Sequence, residues 1–307
     1  MGHVLDPRIK LRHIACFLEV ARLKSVAKAA ALIGITQPAV SKTLQELEHL
    51  LGTALFDRSR RSLVLTASGE IFLRYAAVGV TALRQGVHSI ASASSGSVLV
   101  TVGALPTVSA RILPRAVERF AAQGLSARAR IVTGPNAYLL SLLRLGDVDF
   151  VVGRMAEPEA MIGFAFEHLY SERVALVVRA GHPLLAHDPF DIAMIENYQV
   201  VMPPPGSVIR PIVERLLIAN GIGRLRDEVE TVSDAFGRGF TRSSDAVWII
   251  SEGVVAEDVA DGILATLPVD TAETLGPVGL TSRVDTSLTL PAQALLQSIR
   301  DVAAKRR

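Results

Sequence analysis

The stretch from Ser25 to Thr66 constrains the fold of this chain more than any other part of it. It contains two short segments with helical apolar periodicity, separated by a break at residues 34–36. The second segment opens with Thr36, Gln37 and Pro38, a capping residue and a proline that are typical of a helix start. The first segment is rich in alanine, so a second helix can cross it closely. The pattern predicts a helix-turn-helix.

The second predicted helix has one apolar and one polar face. Apolar side chains at positions 40, 44, 47 and 51 form the stripe that would hold it against the rest of the domain. The polar face is shared by Gln37, Ser41, Lys42 and Gln45. Such a helix suits insertion into a DNA major groove, although packed helix pairs with a solvated face also occur in proteins that never bind DNA.

A basic turn follows the predicted helix pair. Two short apolar runs flank Arg58, Arg60 and Arg61, as in a small hairpin or wing whose arginines reach phosphates or a minor groove. A solvated loop is the alternative. Residues 1–95 contain 12 lysines and arginines against 6 acidic residues, and the remaining residues contain 20 against 24. A basic first third on an acidic remainder favours a DNA-binding head joined to a sensor body.

The order of these residues resembles the DNA-binding domain of LysR-type transcriptional regulators. From position 35 it reads I-T-Q-P-A-V-S-K-x-L-x-x-L-E-x-x-L-G-x-x-L-F-x-R-x-x-R-x-x-x-L-T. The resemblance implies double-stranded operator DNA as a partner. It also implies that the recognition helix reads the groove and that the wing arginines contact the flanking DNA. The resemblance matches Gln37, Pro38, Ser41, Lys42, Arg58 and Arg61 to the family's DNA-contacting positions, while Arg60 stands where many members have a small turn residue. With the capping residue Thr36 and the basic-turn residue Arg60, these are the predicted DNA-binding residues.

A long helix is predicted next, from Thr66 to Ser92. Its apolar residues recur at alternating intervals of three and four, which is a heptad seam that predicts pairing with another copy. The seam consists of Leu73, Ala76, Val80, Leu83, Val87 and Ile90. Packing on its own domain is the alternative. The small polar segment 92–97 reads as a linker. The resemblance implies a homodimer through this helix, a homotetramer and a contact with RNA polymerase.

From Val98 the pattern changes to alternating strands and helices, which is typical of an α/β fold with helical crossovers. Two such blocks predict two lobes, and the resemblance implies a two-lobed, periplasmic-binding-protein-like sensor with parallel or mixed sheets behind the all-α winged helix-turn-helix head. We expect crossovers near 170–173 and 265–269. The expected domains are 1–65, 66–96 and 97–307, with lobe 1 at about 97–172 and 268–307 and lobe 2 at about 173–267.

Polar loops at the predicted strand ends mark a candidate effector site. Thr107 and Ser109 open a predicted helix and could bind a carboxylate there, although simple capping explains either residue alone. Arg154 ends the third strand of this body and is the candidate charge partner. The resemblance assigns effector-lining roles to Thr107, Ser109, Thr133, Arg154 and Ser207. Phe236 and Ser244 are weaker candidates in lobe 2.

Longer runs narrow the resemblance to one subgroup. V-G-A-L-P-T-V-S-A-R-I-L-P and F-E-H-L-Y-S-E-R-V are similar to the regulators of protocatechuate breakdown. This similarity implies activation of an aromatic-catabolic operon in response to a small carboxylated, muconate-type effector. Related subgroups sense sugars, so a regulator of sugar or other small-acid metabolism is the alternative.

Other classes of protein are disfavoured. The single cysteine, Cys16, excludes an internal disulfide and suits a reducing cytoplasm. With no apolar signal region and no run of 18 apolar residues, we expect a cytoplasmic protein without a membrane partner. The seven histidines show no metal-ligand spacing, and no nucleophile or cofactor motif occurs, so we expect neither enzyme activity nor a cofactor. A transport-type solute-binding protein would share the two-lobed body but would need an export signal and no basic head.

Overall fold

A computed structural model describes residues 6–57, 63–95, 97–284 and 286–305 of the chain, and side chains 84–85 and 88–95 lie outside this description. Two compact units are present. The first comprises Met1–Gly96 with Arg144–Asp147, and the second comprises Ser97–Leu143 with Val148–Arg307. Each unit has its own apolar core.

The first unit contains the predicted helix-turn-helix, which the structure confirms. Its elements are α1 (Leu11–Leu23), α2 (Val26–Ile33), α3 (Gln37–Leu51), β1 (Phe56–Asp57), β2 (Val64–Leu65) and α4 (Ala67–Ser95). Thr36 caps α3, because its side-chain oxygen accepts a hydrogen bond from the backbone N–H of Ala39 at 3.4 Å. β1 and β2 pair in antiparallel fashion, as expected for the wing. Cys16 is buried in the core of this unit.

The seam predicted on α4 is divided by the structure. Ala76 and Val80 are buried in the core of the first unit, so this part of the helix packs on its own domain. Leu83 and Val87 are 58% and 66% exposed, so only this later part is open to a partner. Ile90 lies among the side chains outside the description. The helix also continues to Ser95, and the expectation of a linker beginning at residue 92 is wrong.

The second unit alternates strands and helices. Its elements are β3 (Val98–Ala104), α5 (Pro106–Arg111), α6 (Leu113–Ala121), β4 (Ala127–Thr133), α7 (Asn136–Leu145), β5 (Phe150–Arg154), β6 (Phe164–Glu172), β7 (Val174–Arg179), β8 (Val200–Met202), α8 (Arg210–Ala219), β9 (Glu228–Glu230), α9 (Asp234–Ser243), β10 (Val247–Ser251), α10 (Glu252–Ala260), β11 (Leu264–Thr266), β12 (Gly276–Arg283) and α11 (Leu290–Ala304).

These strands form two mixed five-stranded sheets, one in each lobe. The sheet of lobe 1 has the order β4-β3-β5-β12-β6, and the sheet of lobe 2 has the order β11-β7-β10-β8-β9. In lobe 1, β3, β4 and β5 are parallel, and in lobe 2, β8, β9 and β10 are parallel. The chain passes from the first sheet to the second between Glu172 and Val174, and it returns between Thr266 and Gly276.

Three parts of the second unit differ from the sequence-based expectation. The single helix expected at 109–121 is two helices, α5 and α6, because Pro114 lacks the N–H that a continuous helix would need there. The strand β6 was not predicted, since its exposed edge position lets Glu167 and His168 interrupt the apolar alternation. Helix α10 follows β10 directly and was also not predicted.

Candidate functional site

The first candidate site is the recognition helix α3. Val40, Leu44 and Leu47 are buried against the core of the first unit. Because this face of α3 is buried, the opposite face of the helix points outward. The outward residues are Thr36, Gln37, Pro38, Lys42 and Gln45, which are exposed, and Ser41, which is half-buried. The structure therefore brings the predicted groove-reading residues of this helix together on one surface.

The wing is tied to the recognition helix by Glu48. Its carboxylate accepts hydrogen bonds from the backbone N–H groups of Leu55 at 2.8 Å and Phe56 at 3.2 Å. Phe56 in turn packs against Phe17, with ring centroids 5.4 Å apart. These contacts orient β1 relative to α3. The predicted wing arginines at 58, 60 and 61 lie outside the described residues.

The second candidate site is a cavity of about 620 Å³ between the two lobes of the second unit. It lies beyond the carboxyl ends of the parallel strands of both sheets, where loops and helix starts converge. The lining residues are Leu105–Thr107, Ser109, Thr133–Ala137, Arg154, Pro203–Ile209, Thr231–Asp234, Trp248, Ile250, Ser251 and Val254. Prolines and Trp248 provide an apolar wall, and hydroxyls provide polar contacts.

Five of the six predicted effector residues line this cavity, namely Thr107, Ser109, Thr133, Arg154 and Ser207. The Thr107 hydroxyl is buried and has no hydrogen-bond partner among the described residues. The Ser109 hydroxyl donates to the carbonyl of Pro106 at 3.0 Å and keeps its lone pairs for a donor.

The sixth residue, Phe236, is not in the cavity lining. Its ring is 45% exposed and stacks on Phe240, with centroids 5.4 Å apart. The weaker candidate Ser244 is also outside the lining, and its hydroxyl donates to the carbonyl of Phe240 at 2.7 Å. Asp234, the first residue of α9, lines the cavity, whereas Phe236, two positions later on the same helix, does not.

Arg154 lies at the base of the cavity and is only 4% exposed. Its Nη2 donates to the carbonyl of Thr274 at 3.0 Å and to the carbonyl of Glu172, and so it binds the main chain near both crossovers. Its Nε and Nη1 have no hydrogen-bond partner in the described part of the chain. Burial lowers the pKa of Arg154, and the carboxylates of Glu172 and Glu252 oppose that shift.

Sequence reasoning missed several residues of this site. Ser233 and Asp234 stand at a helix start that opens on the cavity, and burial raises the pKa of the Asp234 carboxyl to about 6. Glu172 lies next to Arg154 at the end of the unpredicted strand β6. The signal that could have found Glu172 is its position at the expected crossover, two residues before the apolar strand β7.

The arrangement is chemically suited to binding a small carboxylate. Helix N-termini and hydroxyl groups stabilise negative charge. The buried guanidinium of Arg154 has two nitrogens, Nε and Nη1, that make no hydrogen bond among the described residues. No group of His, Cys, Asp and Glu side chains placed to hold a metal ion was found over the described ranges. A search of the same ranges also found no helix long and apolar enough to span a membrane.

Both units match families of known proteins. Residues 11–70 match the family described as "Bacterial regulatory helix-turn-helix protein, lysR family". Residues 94–304 match the family described as "LysR substrate binding domain". Together the two matches cover the recognition helix, the wing and the cavity.

Similar proteins extend over nearly the whole chain. The HTH-type transcriptional regulator PcaQ of Agrobacterium fabrum is 55% identical over 303 residues, which cover 98% of this chain and 97% of that protein. The HTH-type transcriptional regulator YdcI of Escherichia coli is 34% identical and covers 97% of both. The structure of a full-length OxyR variant from Pseudomonas aeruginosa has a TM-score of 0.58 at 20% identity, and it covers 96% of this chain and 94% of that one, a likeness of fold.

Proposed function

This chain belongs to the LysR family of transcriptional regulators, and we propose that it activates an aromatic-acid catabolic operon of the protocatechuate type in response to a small carboxylated effector. Regulators of this family bind DNA and small-molecule effectors and form oligomers. The proposal concerns the pathway, the effector and the residues that bind each partner.

The pathway assignment rests on the identity of 55% to PcaQ along 98% of this chain. An identity at this level over a length that spans the cavity region favours a shared effector class. The hydroxyls of the cavity could also bind a sugar, but a neutral sugar would leave the buried cation Arg154 without a charge partner. The pathway assignment and the cavity chemistry therefore point in the same direction.

The observation that carries the effector proposal is Arg154 at the base of the cavity, with two guanidinium nitrogens left unpartnered in the described part of the chain. A buried cation without a full set of acceptors favours an anionic ligand, because an unsatisfied charged donor costs free energy. Thr107 adds a second buried polar group without a hydrogen-bond partner among the described residues of the lining. We assign a ligand carboxylate to these two groups, with Ser109, Thr133 and Ser207 as further contacts.

DNA binding is assigned to the outward face of α3, with Gln37, Ser41 and Lys42 as the groove-reading residues and the wing arginines as phosphate contacts. The later part of α4, which exposes Leu83 and Val87, is assigned to the dimer. A tetramer built from two dimers and a contact with RNA polymerase complete the proposal. The expected domain boundaries at 65 and 96 belong to it as well.

Titration calorimetry with carboxylated muconic acids tests the effector assignment. Thr107→Val removes a hydroxyl that makes no hydrogen bond among the described residues while it keeps the side-chain volume, so the fold should be retained. Arg154→Ala should weaken binding by roughly 10- to 100-fold, because a charge-assisted bond contributes about 1.5–3 kcal/mol. Arg300→Ala removes an exposed, ion-paired arginine outside this cavity and serves as the matched control.

Unchanged affinity in both Thr107→Val and Arg154→Ala would remove these residues from the site. Footprinting of the DNA next to the gene, with and without the acid, tests the regulatory part. Binding of sugars in place of acids would favour the alternative pathway while leaving the regulator assignment intact.

A further inference from the structure

Glu172 is a buried carboxyl directly behind the base of the cavity. It ends β6 at the first crossover between the lobes and is only 1% exposed. Neither of its carboxyl oxygens has a partner with hydrogen-bond geometry among the described residues, and the nearby Ser251 hydroxyl only lowers the pKa of the group. The start of α10 packs closely on this carboxyl at Gly253. A Cβ added there would lie 2.6 Å from Oε2 of Glu172, so the position has room for glycine alone.

Charged and titratable groups face Glu172 from each neighbouring element. They are Arg154 from β5, Tyr170 from β6, Arg111 from α5 and Glu252 from α10, with the Ser251 hydroxyl at the end of β10. Burial raises the pKa of Glu172 to about 7, and Arg154 is the strongest opposing influence. Arg111 opposes the shift less, and Glu252 adds to it. Arg154 is the charged group among these that also lines the cavity, and the Ser251 hydroxyl lines it as well.

Arg154 therefore faces two anionic positions at once. Its charge acts on the Glu172 carboxyl, and the same residue lines the cavity, with its buried Nε and Nη1 making no hydrogen bond among the described residues. Two carboxylates that share one site cannot both remain ionised at little cost, and one of them takes up a proton. Glu172 is the one shielded from solvent, so ionisation is harder for it than for a ligand carboxylate in the open cavity.

We propose that an effector carboxylate and Glu172 compete for the single positive charge of Arg154, so that effector binding is coupled to the uptake of one proton by Glu172. This inference rests on the proposed carboxylate site. Glu172 acts through Arg154 as a positioning residue, since it does not line the cavity itself.

The coupling has a definite sign. Below the pH at which Glu172 of the effector-free protein ionises, its carboxyl is already neutral. Effector binding then takes up no proton, and effector affinity does not depend on pH. Above it, each bound effector must bring a proton, so affinity falls by up to about tenfold for each pH unit. Cells that become more acidic would therefore respond to less effector.

Calorimetry in two buffers of different ionisation enthalpy measures the protons taken up on binding. The probe is a carboxylated muconic acid, which is fully ionised from pH 6 to pH 9. At pH 8 the wild type should take up about one proton per site, and at pH 6 much less. Glu172→Gln should bind the acid without proton uptake at pH 8, where Asp234 in the cavity lining, with its pKa of about 6, is already ionised. Glu167→Gln removes an exposed carboxylate from the same strand, paired with Arg300, and should keep the wild-type uptake.

Infrared difference spectra provide a second readout on the wild type. Adding the probe at pH 8 should produce a carbonyl band of a protonated carboxyl group, and that band should be missing in Glu172→Gln. Probe binding to the wild type without proton uptake, or uptake that persists in Glu172→Gln, overturns this inference and leaves the proposed function standing. Failure of every such acid to bind the wild type at any pH overturns both.

Discussion

Replacing Glu172 by Gln should stabilise the protein in a pH-dependent way, even without effector. The pKa of this carboxyl rises from 4.5 to about 7 on folding, so the unfolded chain releases its proton first. A raised pKa makes the ionised form costly in the folded state, and the wild type loses stability as pH rises from 4.5 to 7. At about 1.36 kcal/mol per pKa unit, the cost above pH 7 is about 3 kcal/mol.

The assay is urea unfolding of wild type and Glu172→Gln at pH 5 and pH 8. The single tryptophan, Trp248, is buried in lobe 2 and reports unfolding of the second unit by fluorescence. The stability difference between the two proteins should grow by about 2.5 kcal/mol in favour of the variant from pH 5 to pH 8. Asp234 also titrates in this pH range, but it does so in both proteins, so its contribution cancels in the stability difference. Glu167→Gln should show no such growth, and a difference independent of pH would refute the assignment of a buried, destabilised carboxyl.

Three further predictions concern other parts of the chain. The double variant Gln37→Ala/Ser41→Ala should reduce the preference for operator over random DNA by about 1–3 kcal/mol for each base-edge hydrogen bond that it removes, as measured by competition binding. Unchanged preference would remove α3 from base reading. Leu83→Glu should lower the mass in light scattering while the first unit stays folded, because this side chain is exposed and outside the core. A wild-type mass would exclude this part of α4 from the dimer. Gly237→Ala should destabilise lobe 2 by about 1–3 kcal/mol in urea, because a Cβ there would lie 2.5 Å from Trp248 Cζ2, and equal stability would mean that the ring shifts freely.

Local features of the sequence are sufficient to predict the helix-turn-helix of the first unit. The cap at Thr36, the proline after it and the apolar stripe of α3 act within one or two helical turns, and the structure has the helix where they predict it. Pro114 is an equally local signal, and it separates α5 from α6 within the single helix that periodicity favours. The two-lobed body could also be predicted, because alternating strands and helices are visible in the order of the chain.

The division of the α4 seam could not be predicted from periodicity. Ala76, Val80 and Leu83 are spaced alike, yet the first two are buried in the first unit and the third is exposed. A heptad pattern states that a stripe is apolar, and it does not state which surface covers each part of it. That depends on where the core of the head ends, which is a property of the packed domain.

The sequence by itself determined the kinds of element and the recognition helix, because these depend on neighbours a few positions apart. The family resemblance indicated five residues that line the cavity. Only the tertiary structure decided that Arg154 binds the main chain at both crossovers and that Glu172 lies unpaired behind it. The hydrogen bonds of Arg154 join residues 18 and 120 positions apart in the chain. The pKa of Glu172 was equally beyond the sequence, because it depends on how much water and charge the packed lobes leave around one carboxyl.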